Sequence, residues 1–362
     1  PLYYILSAPI HAVAVLFMSP DAAARALRII PLAAGMVQIE LCYRAVRAIW
    51  ADRDDLQQVG ILAGGAMPVN FYISQYVSNE PLAGVLVSGV VVCTLILLSR
   101  TGVRLQVWRG VLFGLALITK ISALAMVIPL AFSILQESGT DAHPKAAFMR
   151  KAARAALLCF GIAALVSGWY FARNMLELGR PFFGGWEPER GIVWWQDPGY
   201  RTVRQVFSPG AALSYPVFSG VESFSSGLYS TLFLDGMLSA GVYDYTRPPW
   251  NFSFMLTGAW LGLLPSLLIF AGMLRALRTG HVGLSFVTLS VIVHIGALFY
   301  GFITVPYFCI LKGSYTVGML PCYAVLGAAG FDAIARTPLL KALALGGLFC
   351  GAVTAYAAYF IL

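Results

Sequence analysis

Long apolar runs separated by short polar or charged stretches make up nearly the whole chain of 362 residues. A helix of about 20 apolar residues is long enough to cross the hydrocarbon core of a bilayer. The pattern predicts membrane segments at roughly residues 2–18, 27–46, 58–77, 81–99, 107–119, 121–136, 152–170, 252–274, 282–303, 315–332 and 339–361. The segments on either side of Lys120 are short, and a lysine in the middle of one long span would cost several kcal/mol. We therefore expect a helical hairpin that bends at Lys120.

Composition supports the membrane assignment. The chain is 59% hydrophobic and 11% charged, with a mean hydropathy of +0.78, whereas a soluble domain is about a quarter charged. The expected fold class is an all-α polytopic membrane protein with about 10–11 transmembrane or re-entrant helices and one aromatic-rich loop domain. We expect an integral membrane protein, in the plasma (inner) membrane if the source is bacterial. The net charge of +8 does not indicate a nucleic-acid partner, because Lys and Arg clusters in such proteins mark cytoplasmic loops.

The positions of the basic clusters predict the topology. These clusters are Arg44/Arg47/Arg53, Arg100/Arg104/Arg109, Lys145/Arg150/Lys151/Arg154, Arg275/Arg278 and Arg336/Lys341. If all five are cytoplasmic, then Glu80, Lys120, the segment 171–251 and the connection 304–314 are extracytoplasmic. The predicted division is helices 1–170, a loop or cap 171–251 and helices 252–362. The first 43 residues do not alternate in this way, so either one early segment is re-entrant or the charge rule fails there.

Charged residues at the extracytoplasmic ends of the predicted helices are the candidates for chemistry. Lys120, Lys312 and Arg173 are suited to hold a phosphate, and Glu80 is suited to bind a divalent metal or to take a proton. Each also has a purely structural interpretation. Glu80 would begin a helix capped by Asn79, and the three cations would anchor helix ends at the membrane surface.

Other polar residues favour structural roles. Glu40 is expected to pair with Arg44 one helical turn later, and His294 is expected to be a hydrogen-bonded core histidine. Trp194 and Trp195 suit the headgroup belt. The spacing of the Cys and His residues argues against a protein-built zinc site. Six acids of the cap segment are expected to be solvated: Glu187, Glu189, Asp197, Glu222, Asp235 and Asp244.

Five stretches, in order along nearly the whole chain, resemble motifs of the GT-C glycosyltransferases. PLYYILSAP is similar to the end of "HPPLYY", and VSNEPLAG resembles "S-N-D-x-L" with Glu80 where Asp is commoner. GLALITKISAL resembles "G-L-x-x-L-T-K", and GWYFARNMLELGRPF resembles "W-Y-x-R-N-x-x-x-x-G-x-P". LKGSYTVGMLPCYAVLGAAGF is similar to "K/R-x-x-Y-x-x-x-x-x-P". The resemblance is to the branch that contains the protein O-mannosyltransferases and the lipid A aminoarabinose transferase.

This resemblance implies an enzyme that moves a sugar from a polyprenyl-phosphate or polyprenyl-diphosphate donor to an acceptor on the extracytoplasmic face. It implies a catalytic role for Glu80, which would also hold a divalent cation such as Mg or Mn. Its implied partners are membrane lipid, the sugar donor, an unknown acceptor and other membrane subunits. The implied contacts to the lipid phosphate and the sugar are Lys120, Lys312, Arg173, Asn79 and Tyr315.

A first-loop Asp acts as base in this family and would precede Pro1. The resemblance therefore implies that the chain lacks the first span and loop. Two other functions stay open at this point. One is a transporter or flippase of an anionic lipid or solute, although no internal repeat supports it. The other is an inactive scaffold subunit of a membrane complex.

Overall fold

The computed structural model describes residues 1–139, 145–182, 201–208, 210–215, 219, 222–235, 251–305 and 312–361. Within these residues the regular elements are all helical, as the apolar pattern predicts. The α-helices are α1 (Leu2–Ala14), α2 (Pro20–Ala26), α3 (Ile29–Ile49), α4 (Asp54–Gly60), α5 (Pro68–Ile73), α6 (Glu80–Ser99), α7 (Val103–Thr119), α8 (Val127–Ser138), α9 (Lys145–Ala156), α10 (Ile162–Leu178), α11 (Val203–Val206), α12 (Ala211–Ser214), α13 (Phe224–Phe233), α14 (Phe252–Leu261), α15 (Leu263–Thr279), α16 (Val282–Thr304), α17 (Leu320–Ile334) and α18 (Pro338–Phe360). Short π-helical turns (Ile61–Gly65, Leu157–Gly161) and 3₁₀ turns (Ile121–Met126, Gly313–Met319) join some of them.

Among the described residues, eight helical stretches are long and apolar enough to cross a membrane. They are Pro20–Ile49, Glu80–Ser99, Ile121–Ser138, Lys145–Leu178, Phe252–Thr279, Val282–Thr304, Gly313–Ile334 and Pro338–Phe360. Leu2–Ala14 is a shorter apolar helix. Helix α7, with 17 residues, is also too short to be one of the eight. The chain is an integral membrane protein, which confirms the expected location in a membrane.

The apolar run predicted as a span at 58–77 is not one continuous helix. It consists of α4, a π-helical turn and α5. Met67 has an extended backbone (φ −61°, ψ 134°), because a residue that precedes proline, here Pro68, is disfavoured in the helical region. The side chains of Val69, Asn70 and Tyr72 are buried, so the broken helix packs inside the bundle.

Helix α17 forms the centre of the bundle, and its residues from Leu320 to Phe331 are all buried. It packs very closely on α15 at two glycines. A Cβ atom on Gly330 would lie 1.9 Å from the carbonyl oxygen of Leu268, and one on Gly272 would lie 2.0 Å from that of Leu326. Small residues let helix backbones approach one another in membranes, where dispersion contacts drive association.

Helices α7 and α8 form the predicted hairpin, with the bend at Lys120. Lys120 is extended (φ −154°, ψ 129°) and ends α7. Near the other end of the hairpin, Arg109 Nη1 lies 2.5 Å from Glu137 Oε1, and both side chains are buried. Arg109 was predicted both within the span 107–119 and in a basic cluster. It lies inside α7, which begins at Val103, six residues earlier, and its side chain is in the packed interior rather than at the membrane surface.

An ion-pair network joins three of the basic clusters at the same end of the bundle. Arg53 Nη2 and Arg275 Nη1 lie 2.9 and 2.6 Å from the carboxylate of Asp332. Arg53 also pairs with Asp55 at 2.9 Å, and Lys341 lies 3.5 Å from Asp55. The hydrogen bonds from Arg53 lower the pKa of Asp55 to about 2. The charge pattern therefore predicted correctly that these clusters face the same side.

The predicted cap segment is described only in part. Helix α10 continues through Leu178 and ends at Gly179, whose φ of 71° is in the left-handed region. The division into a cap at 171–251 stays a prediction. Several of its predicted residues lie outside the described ranges: Glu187, Glu189, Trp194, Trp195, Asp197 and Asp244.

Candidate functional site

Glu80 and Lys120 meet in an ion pair, although they are 40 residues apart in the chain. Glu80 is the first residue of α6, where the helix dipole favours a carboxylate. Lys120 lies at the break between α7 and the 3₁₀ turn 121–126. Their side chains are 16% and 21% exposed. The pair is therefore largely shielded from water but still accessible to a ligand.

Tyr315 and Lys312 complete the charged part of the site from a third segment. The 3₁₀ turn 313–319 begins directly after Lys312 and carries Tyr315, whose ring centroid is 3.7 Å from Lys120 Nζ. An ammonium group above an aromatic ring is attracted by the ring's negative face. Lys312 is close enough to Lys120 for the two charges to repel each other. One carboxylate and two ammonium groups leave the site with a net positive charge.

A small cleft of about 20 Å³, partly open to the surface, lies beside the ion pair of Glu80 and Lys120. Glu80, Lys120 and Tyr315 line it together with Ser122, Ser314 and His294. His294 was predicted as a core histidine. It is buried, and its Nδ1 lies 2.9 Å from the carbonyl oxygen of Ser290, as that prediction requires. It also lines the cleft, which the local sequence pattern did not indicate.

A buried polar network holds the turn that carries Tyr315. Gln38 of α3 donates to Ser88 Oγ at 2.6 Å and to the carbonyl of Val317 at 2.9 Å. Ser88 of α6 donates to the carbonyl of Gly318 at 3.1 Å. The backbone approach is close, since a Cβ on Gly84 would lie 2.7 Å from Val317. The sequence analysis did not identify Gln38 or Ser88, because nothing in their own helices indicates a partner 279 or 230 residues away.

A second set of contacts fixes the start of the same turn. The backbone N–H of Gly313, next to Lys312, donates to Thr231 Oγ1. The hydroxyl of Tyr72 donates to the carbonyl of Thr231 at 2.5 Å. Near these residues Tyr76 donates to Asp235, and Asp235 is only 3% exposed. The prediction that Asp235 is solvated is wrong, because α13 docks against α5 and buries its end.

The remaining predicted site residues have different positions. Asn79 precedes α6 as its N-cap residue, but its side chain makes no capping hydrogen bond. Its amide instead reaches the carbonyl of Thr119, beside Lys120, at 3.5 Å. Arg173 does not line the described cleft. It is exposed on α10 and lies 2.5 Å from Glu177 one turn later.

The described residues do not fit a divalent cation bound by protein side chains alone. They contain no group of three or more His, Cys, Asp or Glu side chains that could hold a metal ion. Glu80 contributes one carboxylate, and it is paired with Lys120 and close to a second lysine. Hard cations need several oxygen ligands. The metal prediction therefore gains no support from these residues.

Comparison with known proteins gives only weak structural likeness. No protein-family model and no curated protein matches the chain. One similar solved structure is the oligosaccharyltransferase of Archaeoglobus fulgidus in complex with Zn and sulfate. It is 12% identical with a TM-score of 0.48, and the match covers 99% of this chain but 44% of that one. The chain thus spans less than half of that protein's length. A likeness of this size does not indicate a function.

Proposed function

We propose that this chain is part of a membrane glycosyltransferase that moves a sugar from a polyprenyl-phosphate or polyprenyl-diphosphate donor to an acceptor at the extracytoplasmic face. The observation that carries the proposal is the convergence of three family-like motifs in one cleft. VSNEPLAG contributes Glu80, GLALITKISAL contributes Lys120, and the late LKGSYTVG motif contributes Tyr315. The same late motif carries Lys312, which does not line the cleft but is close enough to Lys120 for the two charges to repel each other. The order of these motifs along the chain does not by itself bring them together in space.

The charges of the cleft suit a lipid phosphate. Lys120 and Lys312 are point charges that attract phosphate oxygens. In the absence of a ligand, Glu80 balances Lys120. When a donor binds, its phosphate takes the place of the carboxylate beside Lys120, and Glu80 becomes available to the acceptor.

The reaction forms a bond between the acceptor oxygen and the anomeric carbon of the sugar. The bond from that carbon to the phosphate oxygen breaks, and the lipid phosphate leaves with the electron pair. Lys120 and Lys312 stabilise the negative charge that develops on the leaving phosphate. Glu80 orients the acceptor hydroxyl and accepts its proton as the acceptor oxygen attacks.

The experiment compares variants of the protein reconstituted in liposomes with a radiolabelled polyprenyl-phosphate sugar. Glu80→Gln and Lys120→Ala are expected to lower label transfer by about 100-fold or more, since the first removes a positioned acid–base group and the second removes a charge that stabilises the leaving phosphate. Arg278→Ala is the control, because Arg278 is exposed on α15 outside the cleft. Thermal unfolding must show that all three variants are folded.

Three results would contradict the proposal. Full transfer by both cleft variants would rule out this site. Movement of the labelled lipid across the bilayer without transfer would favour a flippase. Absence of both donor binding and transfer in the wild-type protein would favour a scaffold subunit.

A further inference from the structure

A second polar groove lies at the opposite end of α6 from the candidate site. Glu80 begins α6 and Arg100 follows its last residue, so the two positions are about 30 Å apart along the helix axis. The groove has a volume of about 550 Å³ and is partly open to the surface. Its lining residues come from the end of α3 and the end of α6: Glu40, Tyr43, Arg44, Arg47, Ala48, Ala51, Ile96, Ser99 and Arg100.

The groove is strongly basic. Arg44, Arg47 and Arg100 line it against a single acid, Glu40. Glu40 is engaged with Arg44, whose Nε lies 2.7 Å from Glu40 Oε1. The guanidinium of Arg47 lies 5.9 Å from the ring centroid of Tyr43, and its Nη1 is 3.5 Å from the Tyr43 hydroxyl. The three arginines and one glutamate therefore give the groove a net excess of two positive charges.

The position of the groove indicates which type of anion it binds. Both flanking stretches, Pro20–Ile49 and Glu80–Ser99, are long enough to span a membrane and end here, so the groove lies at the level of the lipid headgroups. Ile96, Ala48 and Ala51 add an apolar part to its lining. A soluble phosphate would use only the arginines, whereas a phospholipid would use the arginines and the apolar part together.

We propose that this groove binds the headgroup of an anionic phospholipid. Arg47 and Arg100 contact the phosphate, and the Tyr43 hydroxyl contacts a headgroup oxygen. Basic pockets between transmembrane helices recognise anionic headgroups in this way. The planar guanidinium can donate two parallel hydrogen bonds to a phosphate. The proposal does not depend on a transferase activity.

The test measures lipid binding to the full chain in a mild detergent by native mass spectrometry. Dioleoyl phosphatidylglycerol and dioleoyl phosphatidylcholine are titrated in parallel, because they share their acyl chains and differ in net charge. The wild-type protein is expected to bind phosphatidylglycerol more tightly. Removing both charges in Arg47→Gln/Arg100→Gln is expected to weaken that binding by roughly 30-fold, given the usual contribution of each arginine near an anionic lipid surface.

Arg104→Gln is the matched control. Arg104 is an exposed arginine close to Arg100 in the chain but does not line the groove, so its loss should leave the affinity unchanged. The double variant Arg47→Lys/Arg100→Lys keeps the charge and should lose less affinity than the glutamine variant. Equal affinity for the two lipids, or an unchanged affinity in the glutamine variant, would overturn the proposal. Displacement of the lipid by an equal concentration of inorganic phosphate would also overturn it, in favour of a soluble ligand.

A crosslinking measurement covers the case in which the glutamine variant does not fold. Photoreactive phosphatidylglycerol is bound to the wild-type protein, and the labelled peptides are identified after proteolysis. Labelling that is concentrated in residues 40–51 and 96–100 supports the proposal. Labelling spread evenly along the lipid-facing helices contradicts it.

Discussion

Arg109 and Glu137 form a buried ion pair, with Nη1 and Oε1 2.5 Å apart, that joins the first half of α7 to the end of α8. The pair closes the hairpin at the end opposite to Lys120. The pair therefore links the position of Lys120 to the packing of α7 and α8, which together have about 30 residues. The hairpin of α7 and α8 is therefore held by an ion pair at each end, Arg109 with Glu137 at one and Lys120 with Glu80 at the other.

Removing one partner of this pair should destabilise the protein strongly. Glu137→Ala leaves the Arg109 charge buried without its carboxylate, and the expected loss is about 3–5 kcal/mol. The double variant Arg109→Leu/Glu137→Leu removes both charges and should be more stable than Glu137→Ala. Unfolding followed in one detergent gives both values. Equal stability of Glu137→Ala and the wild type would contradict the buried pairing.

The close contact of α15 and α17 gives a second prediction. Gly330→Ala places a methyl group against the carbonyl of Leu268 and should cost about 1–3 kcal/mol through overpacking. Gly296→Ala is the matched control, since a Cβ there meets no atom within 4 Å. Thermal unfolding of both variants in the same detergent makes the comparison. A Gly330→Ala protein as stable as Gly296→Ala would show that the two helices do not approach this closely.

The stacking of Lys120 on Tyr315 should contribute to donor binding. Tyr315→Leu removes the aromatic face, and a cation–π contact contributes about 0.5–2 kcal/mol. We expect a lower affinity for polyprenyl phosphate in Tyr315→Leu than in Tyr315→Phe, which keeps the ring. A binding titration in detergent compares the two variants. The reverse order of affinities would argue against a role for the ring.

Gln38 should affect sugar transfer although it does not line the cleft. Gln38→Leu removes one hydrogen bond to the Val317 carbonyl in the turn at residues 313–319 and one to Ser88 of α6. It leaves the Val317 carbonyl buried without that donor, at a cost of about 1–3 kcal/mol. Because Tyr315 lies on the same turn, sugar transfer should fall as well. Gln75→Leu is the control, as the Gln75 amide bonds only to the carbonyl of Phe71 in the hydrogen bonds described. Transfer and unfolding are measured for both variants. Normal transfer by Gln38→Leu would separate this network from the site.

The network around Asp55 predicts a dependence on pH. The hydrogen bonds from Arg53 lower the pKa of Asp55 from its ordinary 3.8 to about 2 in the folded protein. Stability from this group is therefore fully present above the unfolded value and is lost as the pH falls through the folded one. Asp55→Asn should reduce stability at pH 6, and the difference from the wild type should shrink below about pH 4. Unfolding at a series of pH values checks this. A difference that stays constant down to pH 2 would contradict the pairing.

Local patterns were sufficient for the helices and for the break at Lys120. Apolar runs separated by charges mark the segments, and a lysine between two short runs marks a bend. The pairing of Glu40 with Arg44 was also predicted, because residues four apart on a helix are neighbours. Reasoning from apolar runs failed at 58–77, where the helix is interrupted at Met67, directly before Pro68.

The sequence by itself determined that the chain is an all-helical membrane protein and which residues are candidates for phosphate chemistry. Only the tertiary structure decided that Glu80, Lys120 and Tyr315 share a cleft while Arg173 does not line it. It also decided that His294 borders that cleft, that Asp235 is buried and that Gln38 holds the turn. The physical reason is range. Apolar periodicity is set by a residue's own helix, whereas an ion pair or a buried hydrogen bond depends on which distant helices pack together.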